Sequence, residues 1–389
     1  MCSLRWSLRR GVCSVVGAFL ALSFASGCTT SPVSSSIPRE TSPTTSFPTG
    51  GLTLSTPRAV HQATRLTDGR VLFTGGCSSS GCGGVEQAGV SDLYDPATGQ
   101  LEAGPMMVVP RLSHTATLLD DGRVLVVGGY VGEGAPPTSS IEVFDPTTEA
   151  FTALGSLQKA RADHTATLLR DGRVVIAGGR GVNGAALDSV EIIDPKTGAV
   201  VAGPDLPKPR TAQVATTFAA DVLLIGGTTV NDRAVASTVR LDLRAWRWIA
   251  GPTLETARVK HTAVSLPDGD VLVIGGSGSA ESRDAFASTE LLRRGSDRFR
   301  AGPLLPEGRY KLTNAAAVLP DGRVAVAGGT LLAIIDTDSA SVERIESPSL
   351  DGERAFQTLT VLPDGKALVA GGYDAHIVPT AAAWVVPIP

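Results

Sequence analysis

Aromatic residues are scarce in this chain of 389 residues, because Phe, Trp and Tyr together make up only 5%. Sugar sites usually stack rings on their ligand, so few parts of the chain suit such a site. Positive charge is not in excess either: the net charge is −4, and it becomes −7 without the three arginines of residues 1–27. A mildly acidic chain argues against nucleic acid as a partner and against electrostatic attachment to a membrane.

The first 27 residues are predicted to be an export signal. Three arginines come first, and the apolar stretch 11–24 is too short to span a bilayer. The signal ends in Ala25-Ser26-Gly27-Cys28, which resembles the lipobox of bacterial lipoproteins. This resemblance implies that Cys28 is lipidated and becomes the mature N-terminus, and Thr29 after it favours the outer membrane. An ordinary secretion signal is the alternative.

Residues 28–45 consist largely of Ser, Thr and Pro, with almost nothing apolar. Such a segment buries too little surface to fold and is predicted to be an extended tether. The predicted order is therefore a signal peptide over 1–27, a tether over 28–45 and a globular domain over 46–389. The membrane is then reached only through the N-terminal lipid, and the domain faces either the periplasm or the outside.

The rest of the chain repeats one pattern seven times. Each copy has an arginine, a short alternating strand, a turn that is usually Asp-Gly, and a second strand that ends in Gly-Gly. The glycine pairs recur 43 to 53 residues apart, from Gly75-Gly76 to Gly371-Gly372. A repeat of about 50 residues made of short strands predicts one blade of a β-propeller. The repeat arginines are Arg58, Arg111, Arg161, Arg210, Arg258, Arg309 and Arg354.

The second repeat illustrates the strand signals. His114, Ala116 and Leu118 lie at alternate positions, which is the period of a strand with two different faces. Asp121-Gly122 suits a tight hairpin turn, and the apolar run 124–127 suits a strand buried on both faces. Each repeat is therefore predicted to be a small antiparallel sheet.

These features together resemble the kelch-repeat family of β-propellers. The matching residues are the double glycines, the repeat arginines and the aromatic-Asp-Pro ends of third strands, such as Tyr94-Asp95-Pro96 and Phe144-Asp145-Pro146. The resemblance covers residues 46–389. It implies an all-β, seven-bladed kelch-type propeller, related in fold to the propeller of galactose oxidase.

The two ends of the chain predict how the ring closes. Residues 382–387 match a third strand, so the seventh repeat lacks its fourth. Gly51 stands seven residues before Arg58, which is the spacing of an outer-strand glycine in other repeats. We therefore expect residues 46–54 to supply the missing outer strand of the last blade, which removes exposed edges.

The loops that follow each Gly-Gly pair are predicted to share one face of the ring with the repeat arginines. These loops are long and irregular, and variable loops on a rigid scaffold commonly carry binding sites. Residues that interrupt the repeat on this face are the candidate ligand-binding residues: Tyr130, Arg180, Tyr310, Phe356, Tyr373 and His376.

The repeat arginines allow two interpretations. Seven guanidinium groups near one mouth of the channel could hold a carboxylate or a sulfate. Alternatively, each arginine braces its own blade by bonding backbone carbonyls or a neighbouring acid. The structural interpretation is favoured because the same position is filled in every copy.

Four histidines, at 61, 114, 164 and 261, each lie three residues after a repeat arginine. A metal ion needs ligand atoms about 2.0–2.1 Å away, and equivalent positions on separate blades do not converge that closely. We therefore expect each histidine to bond an adjacent blade, and we expect neither a metal nor another cofactor. Cys77 and Cys82, with four residues between them in an exported chain, are expected to form a disulfide.

Three classes of function remain open. The favoured one is a non-enzymatic, monomeric lipoprotein that presents its loops to an envelope or extracellular protein. The second is a carbohydrate-binding module built on Tyr130, Tyr310, Phe356 and Tyr373. The third is an enzyme, and the resemblance suggests a copper radical oxidase or a sugar isomerase. The oxidases need a Cys–Tyr crosslink and an adjacent Tyr-His pair, and no such pair occurs; nor is a nucleophile–base set visible.

Overall fold

The structure is a computed structural model that describes residues 51–80, 89–132, 134–229, 232–280, 284–330, 332–345 and 354–389. The predicted signal peptide, the tether and Cys28 lie outside these ranges, as does Cys82, so these remain predictions. Cys77 is buried. Within the described ranges, no helix is long and apolar enough to cross a membrane.

The described chain is all-β and forms seven antiparallel sheets of four strands each. The strands are β1 (Leu52–Thr53), β2 (Gln62–Arg65), β3 (Val71–Thr74), β4 (Ser91–Asp95), β5 (Gln100–Ala103), β6 (Thr115–Leu118), β7 (Val124–Val127), β8 (Ser140–Asp145), β9 (Ala150–Ser156), β10 (Thr165–Leu168), β11 (Val174–Ala177), β12 (Val190–Ile193), β13 (Val200–Ala202), β14 (Val214–Phe218), β15 (Asp221–Ile225), β16 (Thr238–Asp242), β17 (Arg247–Ala250), β18 (Thr262–Ser265), β19 (Val271–Ile274), β20 (Thr289–Leu292), β21 (Arg300–Ala301), β22 (Ala316–Val318), β23 (Val324–Val326), β24 (Leu332–Asp336), β25 (Ser341–Ile345), β26 (Thr358–Val361), β27 (Ala367–Ala370) and β28 (Ala382–Val386).

The sheets are the blades of a propeller, numbered from blade 1 (β2 to β5) to blade 7 (β26 to β28 with β1). Each blade runs from an inner strand at the channel to an outer strand, so the predicted seven-bladed, all-β propeller is confirmed. Blade 4 keeps its hairpin without the Asp-Gly pair, because Ala219 and Ala220 both take left-handed backbone angles, with φ of 51° and 74°. Two left-handed residues are what a two-residue hairpin turn requires.

The ring closes as predicted. β1 pairs with β28 through Leu52 opposite Ala383 and Thr53 opposite Ala382. Leu54 continues the connection, because its amide donates to the carbonyl of Ala381 at 2.8 Å and its side chain is buried. The N-terminal segment therefore completes the last blade and ties the two ends of the propeller together.

The hydrophobic core lies between neighbouring blades. Every residue of β7, Val124 to Val127, is buried, as the continuous β-branched run predicts. Leu125 and Val127 of blade 2 belong to one cluster with Val174 and Ile176 of blade 3. Each sheet thus buries both faces against its neighbours, and apolar packing between sheets holds the ring together.

The Gly-Gly pairs mark the places where one blade touches the next. At Gly128 a Cβ atom would lie 2.4 Å from the carbonyl oxygen of Arg161 and 2.8 Å from Cε1 of His164, and φ is +61°. Only glycine avoids both the contact and the strain of this backbone. Blade 2 therefore needs a glycine where the histidine of blade 3 packs.

Three of the four inner histidines, His61, His114 and His164, bond the preceding blade, and the ring of His261 packs against Gly226 of blade 4. Nε2 of His114 lies 2.9 Å from the hydroxyl of Thr74 in blade 1, and Nε2 of His164 lies 3.0 Å from that of Thr115 in blade 2. Burial lowers the pKa of the four rings, because the charged form would lose its hydration, and brings the pKa of His164 and His261 to about 3. These rings are therefore neutral contacts between blades.

Six of the seven repeat arginines are buried, and Arg354 is half-buried. In blade 3, Arg161 donates to the carbonyls of Gly178 and Ser189, each at 2.8 Å, and pairs with Glu191 at 2.7 Å. Blades 1, 2 and 5 contain the same kind of ion pair. These pairs are Arg58–Asp92, Arg111–Glu142 and Arg258–Glu290. In these four blades the guanidinium group is engaged within its own blade.

Candidate functional site

A ring of seven residues surrounds the channel on the face that carries the long loops. Each lies two positions after a repeat arginine and has a left-handed backbone, with φ between 52° and 57°. Backbone bonds link them from blade to blade: the amide of Asp163 donates to Ser113 at 3.2 Å, and that of Ala212 donates to Asp163 at 3.0 Å. We call these residues the mouth ring: Val60, Ser113, Asp163, Ala212, Lys260, Lys311 and Phe356.

Three members of the mouth ring carry charge, namely Asp163, Lys260 and Lys311. Sequence reasoning singled out none of them. The only signal was that a charged residue replaces a neutral one at a repeat position between the arginine and the histidine. Because blades 3, 5 and 6 contribute one charge each, the mouth is electrostatically uneven.

Tyr130 and Arg180, both predicted site residues, lie on the side of the mouth formed by blades 2 and 3. The hydroxyl of Tyr130 donates to Oδ2 of Asp163 at 3.2 Å. Burial raises the pKa of both groups, because each would lose hydration in its charged form. Arg180 pairs with Asp232 of blade 4 at 2.7 Å and donates to the carbonyl of Gly184 at 2.8 Å.

Tyr310, Phe356 and Tyr373, three further predicted residues, surround one ammonium group on the side formed by blades 6 and 7. Nζ of Lys311 lies 5.1, 5.7 and 4.9 Å from the centres of these three rings, and it donates to the hydroxyl of Tyr373. Nζ of Lys260 lies 5.9 Å from the Tyr310 ring, and burial lowers its pKa. Cation–π attraction therefore fixes these lysines against the aromatic side chains.

One apolar cluster connects Tyr130 with Phe356 and Tyr373, although these residues belong to different sides of the mouth. Tyr130 and Phe356 pack against an apolar cluster that includes Leu112, Ala355 and Tyr373. The sixth predicted residue, His376, is exposed, and its Nδ1 lies 4.0 Å from the carboxylate of Asp374. The structure thus brings the predicted residues to one face, but in distinct groups and not as one constellation.

A groove of about 480 Å³ separates the loops of blades 2 and 3 on this face. Its lining is mostly apolar and includes Tyr130, Pro136, Pro137 and Val182. The side chain of Val182 is 68% exposed, which makes it one of the most exposed large hydrophobic residues of the described chain. Arg180, which pairs with Asp232, directly precedes Gly181 and Val182 of the groove lining.

The described residues of the mouth do not form a set of metal ligands. Within the described ranges, no group of three or more His, Cys, Asp and Glu side chains could hold a metal ion. The inner histidines lie at separate contacts between blades, as described above. What the mouth offers instead is a rigid set of aromatic, apolar and charged groups that suits recognition.

A sequence model of the KLHDC2/KLHL20/DRC7 kelch-repeats domain matches residues 113–329, which is more than half of the chain. The protein belongs to the kelch-repeat family. No curated protein matches it.

Two solved structures superpose on most of this kelch protein. A fungal alcohol oxidase of the AA5 family, in complex with copper, superposes with a TM-score of 0.68 at 16% identity, covering 87% of this chain and 76% of the oxidase. The structure of YjhT superposes with a TM-score of 0.58 at 12% identity, covering 86% and 96% of the two chains. At these identities the likeness concerns the fold alone.

Proposed function

We propose that this kelch protein is a non-enzymatic binding protein, exported and lipid-anchored to the bacterial outer membrane, which presents its loop face to a protein partner. The observation that carries the proposal is the apolar groove between the loops of blades 2 and 3. The groove is large enough for apolar side chains of an extended segment, and Val182 offers exposed hydrophobic surface at its edge. Arg180 and Asp232 beside it provide polar contacts at the rim.

Photo-crosslinking tests this docking surface. A photoreactive amino acid at position 182 of the envelope-bound protein is expected to capture one protein species. Val201, which lies on the outer strand of the same blade and is 54% exposed, is the matched control. Binding of the purified partner should weaken at least about ten-fold in Val182→Glu, because a carboxylate would replace apolar surface that the partner covers. Equal capture from positions 182 and 201, or capture from neither, would refute the proposed surface.

The membrane anchor has its own test. In a bacterial host that is fed a labelled fatty acid, the protein should incorporate label and fractionate with the outer membrane. Cys28→Ser should lose the label and release the propeller in soluble form, because a thioether-linked lipid cannot form on serine. Label that persists in Cys28→Ser would show that another residue carries the lipid.

Carbohydrate binding is the second candidate, since Tyr310, Phe356 and Tyr373 do lie together. The ammonium group of Lys311 lies close to all three rings, so it competes with a sugar for their faces. This arrangement favours the protein partner. A glycan recovered from position 182 in the crosslinking experiment would reverse that preference.

A further inference from the structure

Arg65 is the only charged residue on the seven inner strands, all of which are described. Leu118 and Leu168 occupy the same position in blades 2 and 3. Arg65 ends β2 beside the turn that leads to β3, so it stands at the end of the channel opposite the mouth ring. Its side chain is exposed, and among the described residues it makes one hydrogen bond, from Nη1 to the carbonyl of Val361 at 2.9 Å.

Blade 6 has two extra residues just before its inner strand. Arg309 and Leu319 are ten residues apart, whereas Arg111 and Leu119, their counterparts in blade 2, are eight apart. Asn314 in this insertion has a left-handed backbone with φ of 55°, and its carbonyl accepts the amide of Leu359 in blade 7 at 2.8 Å. The inner strand β22 is consequently reduced to three residues.

The insertion crosses part of the channel. The side-chain amide of Asn314 donates to the side-chain oxygen of Gln62 in blade 1, so the contact passes over blade 7, which lies between them. This bridge divides the sector formed by blades 6, 7 and 1. On its far side from the mouth ring lies a cavity of about 470 Å³, lined by these three inner strands and including Asn314 and Arg65.

The residues around this cavity give it a defined chemistry. Ala63, Ala316 and Ala317 leave space, Thr360 and Asn314 contribute polar groups, and Arg65 is the only charged residue of the lining. The lining contains no acidic side chain that would pair with this guanidinium group. Its planar array of donors matches the two oxygens of a carboxylate.

We propose that this cavity binds a small organic anion through its carboxylate, with Arg65 as the anchor. Thr360 and Asn314 line the cavity where the body of the ligand would lie. The site is separate from the groove on the loop face, so it goes beyond the proposed protein-binding function. The two sites can therefore be tested independently.

Calorimetric titration of the full-length protein in detergent tests the site. The probes are acetate, lactate, gluconate and benzoate, each paired with an uncharged counterpart: acetamide, lactamide, sorbitol and benzamide. At least one carboxylate is expected to bind saturably with a Kd of about 1 mM or tighter, and at least about ten-fold better than its counterpart. If no carboxylate binds, or if the uncharged partners bind equally well, the proposal is wrong.

Two variants tie the binding to the guanidinium group. Arg65→Leu should abolish it, and this variant should fold because leucine already occupies the position in blades 2 and 3. Arg65→Lys should retain weaker binding, because an ammonium group keeps the charge but not the planar pair of donors. Undiminished binding by Arg65→Leu would overturn the assignment. Capture of the partner by the photoreactive residue at position 182 should be the same with Arg65→Leu as with Arg65 present. This result would separate the anion site from the proposed docking groove.

Discussion

Acidification from pH 7 to pH 5 is expected to destabilise the propeller steeply. The unfolded chain protonates its histidines below about pH 6.5, whereas His164 and His261 in the folded ring stay neutral down to about pH 3. His61 and His114 are shifted in the same direction. The unfolded state therefore binds more protons between these two pH values, so stability falls as pH falls. Each such histidine contributes about 1.4 kcal/mol per pH unit within this window.

Urea unfolding at several pH values between 5 and 7.5 measures this slope. His164→Gln should reduce the slope near pH 5 by about 1.4 kcal/mol per pH unit, and by less towards pH 7, because it removes one ring that is protonated only in the unfolded chain. Glutamine is a suitable replacement, since blade 4 has Gln213 at the equivalent position, where its side-chain amide donates to the carbonyl of Ala177 at 2.8 Å. His376→Gln, which replaces a histidine whose side chain is 87% exposed, is the control. A slope that His164→Gln leaves unaltered would show that the inner histidines do not set the acid sensitivity.

Glu191→Ala is expected to lower the free energy of unfolding by about 3–5 kcal/mol. Glu191 accepts hydrogen bonds from Arg161 and from the amides of Gln158 and Lys159, which belong to the segment that enters blade 3. The side chains of Arg161 and Glu191 are 0% and 3% exposed. Removing the carboxylate leaves a buried guanidinium group without its counter-charge, and it also frees two backbone amides.

The control is an exposed ion pair in the same blade. Arg173 and Asp171 are 2.7 Å apart but 42% and 50% exposed, so Asp171→Ala should cost about 1 kcal/mol or less. The double variant Arg161→Met with Glu191→Leu should lose less stability than Glu191→Ala, because no uncompensated charge remains buried. Denaturant unfolding of the four proteins measures these differences. Equal losses for Asp171→Ala and Glu191→Ala would refute a special role for the buried pair.

Blade 4 shows what the buried repeat arginine contacts when the third strand has no glutamate to pair with it. Val239 stands where the third strands of blades 2, 3 and 5 have glutamate. Among the described residues, Arg210 therefore bonds only the carbonyl oxygens of Gly226 and Ser237 and the hydroxyl of Ser237. Burial without a counter-charge lowers the pKa of Arg210 to about 10. The fold thus accommodates a valine in place of the acid in blade 4. Blade 3 differs, because two backbone amides already bond Glu191 and would lose their acceptor if it were removed.

Much of the fold could be predicted from the sequence, because each signal is local and recurs. The alternation of Ala116 and Leu118, the Asp121-Gly122 turn and the Gly-Gly pairs each depend on only a few neighbouring residues. Seven copies of such a pattern define seven sheets, and the missing strand at one end matches the spare strand at the other. The sequence was also sufficient to place Tyr130, Tyr310, Phe356 and Tyr373 on one face, since strand order alone assigns the loops.

Only the tertiary structure decided what these residues contact. In the sequence, Asp163 and Lys260 are two charged residues about 100 positions apart. They lie at the same mouth because ring closure brings every blade to one axis, and because both residues have the left-handed backbone of the mouth ring. The bridge from Asn314 to Gln62 joins residues 252 positions apart and depends on a two-residue insertion whose path no local pattern specifies. Periodic strand signals therefore determined the blades. The contacts around the channel depend on how seven separate segments converge, which is a property of the closed ring.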